Sequence, residues 1–80
     1  LLLGLAMRRV KVKSSAINSI GYSADTNVLE VEFVTGRVFQ YFFVPAAQHE
    51  AFVSAESIGA HFNANIRDRY PFRELTVRGR

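Results

Sequence analysis

Val28-Leu29-Glu30-Val31-Glu32-Phe33-Val34, Thr35-Gly36-Arg37 and Val38-Phe39-Gln40-Tyr41-Phe42-Phe43-Val44 follow one another in the chain and read as strand, turn and strand. In the first segment Leu29, Val31 and Phe33 alternate with Glu30 and Glu32, the period that a strand with one buried face requires. In the second, Phe39, Tyr41 and Phe43 share one face and Val38, Gln40 and Phe42 share the other. The turn decides which stripes meet, because a slip of one residue moves every side chain across the sheet. A two-residue Thr35-Gly36 loop would need positive φ at β-branched Thr35, whereas a three-residue Val34-Thr35-Gly36 loop needs it only at Gly36. The longer loop sets Leu29 opposite Tyr41, Val31 opposite Phe39 and Phe33 opposite Arg37. The apolar stripes then lie side by side and the acids fall on the opposite face.

On the N-terminal side, Ser14 to Tyr22 reads as a further strand, with Ile20 and Tyr22 on one face, and Ser23 to Asn27 as the loop that follows it. On the C-terminal side, Pro45 ends the hairpin and suits the first turn of a helix over Ala46 to Ala55. In that helix Ala47, Ala51 and Ala55 form a narrow face with Phe52 beside it. Ser57 is placed to cap a second helix that runs to about Arg67 on Ile58, Phe62 and Ile66. Pro71 closes that helix by Tyr70. Phe72 to Arg80 either adds a short extended piece through Leu75 and Val77 or forms a tail. The expected fold is α+β, a three-stranded antiparallel β-meander covered on one face by two short helices.

With 80 residues, 49% of them hydrophobic and 12% aromatic, the chain has room for one core of modest size. It has no cysteine, which excludes disulfides and thiolate metal sites and fits a reducing, cytoplasmic setting. The net charge of +3 is unevenly spread. Residues 1–13 carry Arg8, Arg9, Lys11 and Lys13 with no acid, and residues 67–80 carry five arginines against Asp68 and Glu74. Between them, Arg37 stands alone against Asp25, Glu30, Glu32, Glu50 and Glu56. The organisation this implies is an apolar and basic segment over 1–13, one domain over 14–72 and a basic tail over 73–80. The opening Leu1 to Ala6 is too short to span a bilayer, lacks the flanks of a signal peptide and precedes Met7, the expected start of translation.

The ordered set S-x-I-x-x-I-G-Y (Ser15 to Tyr22), L-x-V-x-F-x-x-G (Leu29 to Gly36), an aromatic pair leading to V-P (Phe39 to Pro45) and S-x-G-x-x-F-N-x-x-I-R-x-x-Y-P (Ser57 to Pro71) resembles the KTSC domain. The resemblance covers most of residues 13–72. That family includes a module at the C-terminus of some lysyl-tRNA synthetases and small stand-alone bacterial proteins, so the resemblance implies an accessory RNA-binding role. The family's Tyr-x-Tyr is Phe39-Gln40-Tyr41 here, with one phenol hydroxyl fewer, and Ser23 follows the Gly-Tyr pair where Asp is more usual.

No catalytic constellation emerges. His49 and His61 stand on separate helices with no cysteine or carboxylate at ligand spacing, so no metal or other cofactor is expected. Ser54, His61 and Asp68 lack the strained turn and pocket that a nucleophilic triad needs, and the five glycines form no phosphate loop. The chain reads as a non-catalytic binding module without a small-molecule substrate or a membrane. One reading is RNA binding, tRNA included, with Arg67, Arg69, Arg73, Arg8, Arg9, Lys11 and Lys13 on phosphates and Tyr70 or Phe72 stacking on a base. A structural reading of the same stretch has Arg67 compensating the helix end and Tyr70-Pro71-Phe72 folding back to close the core. The other function is protein contact or self-association through Val38, Gln40 and Phe42 on the open sheet face. The resemblance ranks RNA first, and the residues alone favour protein contact. Phe39, Tyr41 and Phe43 could offer a stacking platform to bases, but their places opposite Leu29 and Val31 assign them to the core.

Overall fold

Leu29 stands opposite Tyr41 and Val31 opposite Phe39, and the Phe33 amide donates to the Arg37 carbonyl at 2.9 Å, the register of a three-residue turn. Gly36 carries the bend with φ of 95°, a conformation that costs an L side chain free energy and glycine none. The computed structural model describes residues 7–75. The chain forms β1 (Arg9–Lys11), β2 (Ile17–Ser23), β3 (Val28–Phe33), β4 (Val38–Tyr41), α1 (Ala46–Val53), α2 (Ile58–Asn65) and β5 (Phe72–Leu75). The strands lie in one antiparallel sheet in sequence order, and both helices pack on the same face.

The α+β class stands, but the sheet has five strands where three were expected. The two additional strands come from the segments set apart as termini. β1 pairs with β2 through only Arg9, Val10 and Lys11, and β5 pairs with β4 from Phe72 to Leu75. Val77 and residues 1–6 lie outside the described residues.

β4 stops at Tyr41, short of the expected Val44. The Phe42 amide donates to the Pro71 carbonyl and the Val44 amide to the Asn27 carbonyl, which pulls the chain off the ladder toward α1. Between them Phe43 takes φ of 63° and is 76% exposed, so its assignment to the core is corrected. Phe39 is half-buried, and Tyr41 is buried.

Ile20, Leu29, Val31 and Tyr41 from the sheet pack against Phe52, Ile58, Phe62 and Ile66 from the helices. The Ser57 hydroxyl caps α2 by accepting from the Ala60 amide at 3.2 Å, and the spacing of Ile58, Phe62 and Ile66 carries its buried face. In α1 the alanine face is not the docked one: Ala47 and Ala51 are exposed and Ala55 is half-buried. The helix is anchored by fully buried Phe52 and by half-buried Gln48 and His49. Burying one such phenyl ring is worth about 1.5–3 kcal/mol, more than several methyl groups at a helix surface.

β2 contains a bulge between Ile17 and Ser19. The extra residue lets Ile17 and Ile20 both reach the core although they are three apart, and turns the Asn18 amide toward Glu32 at 2.9 Å.

Candidate nucleic-acid interface

Paired residues in neighbouring strands share a sheet face, so the register places Phe33, Arg37, Phe39, Tyr41, Phe72 and Glu74 on the helix side. α2 does not extend over all of them. The uncovered part is a groove of about 760 Å³, floored by Phe33, Phe39, Tyr41 and Phe72 and walled by Gly59, Phe62 and Asn63 of α2. Its aromatic rings are in mutual contact: centroids lie 5.8 Å apart for Phe39 and Phe72, 5.7 Å for Tyr41 and Phe72 and 5.6 Å for Tyr41 and Phe62. Phe72 is 56% exposed, so the groove presents ring surface to solvent.

Two guanidinium groups line this groove, with Asp68 beside them. Arg67 follows α2, its amide donating to the Phe62 carbonyl at 2.9 Å. Arg37 lies over Phe39 with its Cζ 5.3 Å from the ring centroid, and donates from Nε and Nη2 to both Glu74 carboxylate oxygens at 2.9 and 2.8 Å. The two hydrogen bonds hold the Glu74 carboxyl below the usual range and push Arg37 up. Burial pushes the Tyr41 phenol up to about 12, with Arg67 opposing the shift and Asp68 adding to it.

The outer sheet face has a different chemistry. Register aligns Arg9, Gly21, Glu30, Gln40 and Arg73 in one row across all five strands. Glu30 is 2% exposed, pairs with the Arg9 guanidinium and accepts from Gln40 Nε2 at 2.9 Å. Arg9 Nε also donates to Ser19 Oγ at 3.0 Å. Glu32 accepts from Ser19 Oγ at 2.7 Å and from Asn18, and these bonds lower its carboxyl pKa despite the opposing effect of burial.

These positions separate the basic residues expected to act together. Arg67 lines the groove, and Arg69 is exposed on the turn after α2. Tyr70 packs against the core and its hydroxyl lies 3.5 Å from Gln48 Nε2. Arg73 and Arg9 lie on the outer face, where Arg9 is occupied by Glu30. Arg8 is exposed before β1, and Lys11 and Lys13 line a second hollow against α1. The strip expected to be open is largely covered: Val38 is 6% exposed, Gln40 is tied to Glu30, and Gln40 and Phe42 are half-buried.

The groove residues that sequence reasoning missed are Arg37 and Gly59, whereas Phe72 was one of two residues expected to stack on a base. Arg37 directly precedes the aromatic stripe of β4, which is a signal the sequence does carry. Phe72 is brought to the site by the pairing of β5, which periodicity over four residues cannot reveal. Among the described residues no group of three or more His, Asp or Glu side chains converges as a metal site, and no helix is long and apolar enough to cross a membrane.

Comparison with known proteins bears on this arrangement. The family pattern of the KTSC domain matches residues 13–70. An uncharacterized protein of Stutzerimonas stutzeri is 42% identical over 64 residues, which cover 80% of this chain and 90% of that protein. A lysine–tRNA ligase of Nostoc punctiforme is 35% identical over 72 residues, 90% of this chain but only 13% of the ligase. The crystal structure of a KTSC domain protein from Yersinia pestis superposes with a TM-score of 0.83 at 40% identity, covering 89% of this chain and 100% of that one.

Proposed function

The chain belongs to the KTSC domain family, and from that premise we propose that it is a non-catalytic accessory module that binds an unpaired stretch of RNA, such as a single-stranded part of tRNA, in the aromatic groove. The observation that carries this reading is the contact of half-buried Phe39 with exposed Phe72 in one groove, backed by the buried Tyr41 ring, with Arg37 and Arg67 at its edge. Unpaired bases stack on such rings at about 1–3 kcal/mol each, and guanidinium groups beside them meet the phosphates. A double helix buries its bases in its own stack, so a recessed platform selects single strands. The relation to proteins named as lysine–tRNA ligases adds a context in which RNA is at hand. Protein contact through Val38, Gln40 and Phe42 has less support, because Val38 is buried and Gln40 is engaged.

Two cations with Asp68 and Glu74 close by make the groove nearly neutral, so stacking supplies most of the affinity. At most two phosphate contacts give a shallow salt dependence, with log K falling by no more than roughly 0.7 per contact for each decade of salt. Fluorescence anisotropy with a labelled single-stranded oligoribonucleotide, an unmodified tRNA and an RNA duplex tests the reading. Saturable binding of the first two, weak binding of the duplex, and loss on Phe39→Ala or Phe72→Ala are expected. Absence of any saturable complex at low salt would remove it.

A further inference from the structure

Arg37 lies over the aromatic floor, its Cζ 5.3 Å from the Phe39 centroid, yet it is not free. Both oxygens of Glu74 accept from it. Glu74 reaches it because β5 pairs beside β4 with Glu74 opposite Phe39, so the two charges sit diagonally across one strand gap on the groove side. The side chains of Arg37 and Glu74 are 62% and 40% exposed. Water screens such a pair, and it is easily exchanged for another anion.

Resting on the RNA reading above, we infer that Glu74 is a built-in competitor for Arg37: a phosphate of the bound strand displaces the carboxylate, and Glu74 sets the affinity of the groove. A phosphate offers the guanidinium the same planar two-oxygen geometry as a carboxylate, so the exchange keeps both hydrogen bonds. It also leaves Arg37 stacked on Phe39, within reach of a strand whose bases lie on the same ring cluster. Because Arg37 is neutralised by Glu74 before binding, its phosphate contact releases few counterions. Tight binding is thereby held back in favour of release, which suits a module that must let its RNA go.

The test is a double-mutant cycle of Glu74→Gln and Arg37→Gln, read by anisotropy with the same single-stranded oligoribonucleotide at several salt concentrations. Glutamine retains an acceptor for Arg37, and a thermal melt of each variant verifies that β5 stays paired. The expected result is that E74Q tightens binding about two- to fivefold, the range an exposed ion pair commands. Its salt slope should steepen by about 0.7, one added phosphate contact. In the R37Q background E74Q should change nothing. Unchanged or weaker binding in E74Q overturns the inference, and so does an equal gain in both backgrounds, which would reflect only the general field of a removed charge. In those two cases binding by the unaltered chain leaves the RNA reading standing, whereas no binding by any of the four proteins removes both.

Discussion

Arg9 on β1 reaches Glu30 on β3 by passing over Gly21, the β2 residue that lies between them in the sheet. Glycine is required at the crossing. A Cβ on Gly21 would stand 2.7 Å from the Arg8 carbonyl oxygen and 3.0 Å from Arg9 Cγ, too close unless β1 moves away. The pair helps to fix β1, a strand of three residues tied otherwise by its ladder to β2 and by Val12, whose amide donates to the Asn18 carbonyl, and it compensates a carboxylate that is almost wholly removed from water.

Arg9→Ala leaves Glu30 with Gln40 as its remaining partner. Losing one member of a buried pair costs about 3–5 kcal/mol, and the partial exposure of Arg9 brings the expected loss to about 2–3 kcal/mol. Gly21→Ala should act on the same strand by displacing β1. Urea unfolding of both variants, with hydrogen exchange of the Arg9 to Lys11 amides, measures this. A loss in Arg9→Ala below about 0.5 kcal/mol, the scale of an ordinary surface change, would show that the pair does not hold the strand.

Gly59 separates folding from binding. An added Cβ would meet Ala16 Cβ at 3.8 Å and Ser14 Oγ at 3.9 Å, ordinary contacts, so the fold does not require glycine here. Gly59→Ala should raise stability by about 0.4–1 kcal/mol through the restricted unfolded chain. Because Gly59 and Ala16 both line the groove, the same methyl narrows it, and weaker oligoribonucleotide binding by a more stable protein is the expected pair of results. Chemical denaturation and anisotropy on one preparation read both. Equal or tighter binding would place the ligand elsewhere.

The hairpin was legible because Glu30 and Glu32 alternate with three apolar residues and because Thr35 excludes the shorter turn. The α2 face was legible for a similar reason, three large apolar residues at one helical spacing. The aromatic groove was legible only as the lesser reading, since Phe39 and Tyr41 opposite Val31 and Leu29 read more readily as core when nothing shows where α2 ends above them. Gly21 was visible as part of a motif, but its role depends on Arg9 lying beside it, and a three-residue strand held by one long-range ion pair leaves no periodic trace. The alanine repeat of α1 misled because spacing records which residues share a face and not which face docks. Fully buried Phe52 decided that.

His49 makes stability depend on acid. Its ring stacks on Tyr22 with centroids 4.5 Å apart and planes 9° apart. Burial lowers its pKa from the ordinary 6.5, with Glu50 opposing the shift. The unfolded chain therefore takes up the proton first as pH falls, so this contribution is complete above 6.5 and is lost progressively below it. His49→Phe keeps a ring against Tyr22 and removes the titration. The urea midpoint of the variant should fall less than that of the parent between neutral pH and about pH 5. Parallel curves would mean that other groups carry the acid sensitivity.

Tyr41 gives the corresponding dependence at high pH. Its phenol is pushed from 10.0 up to about 12, chiefly by burial, with Arg67 lowering it and Asp68 raising it. Below pH 10 both folded and unfolded chains hold the proton, and stability is unaffected. Above that the unfolded chain ionises first, so stability declines until the folded phenol also titrates near 12. The Tyr41 Cζ resonance should stay in its protonated position at about pH 11, one unit above an exposed tyrosine's midpoint. Removing the Arg67 charge with Arg67→Gln should raise the midpoint further, and Asp68→Asn should lower it. A Tyr41 resonance that titrates with an exposed tyrosine's midpoint, unmoved by either substitution, would show that burial and these two charges do not set its ionisation.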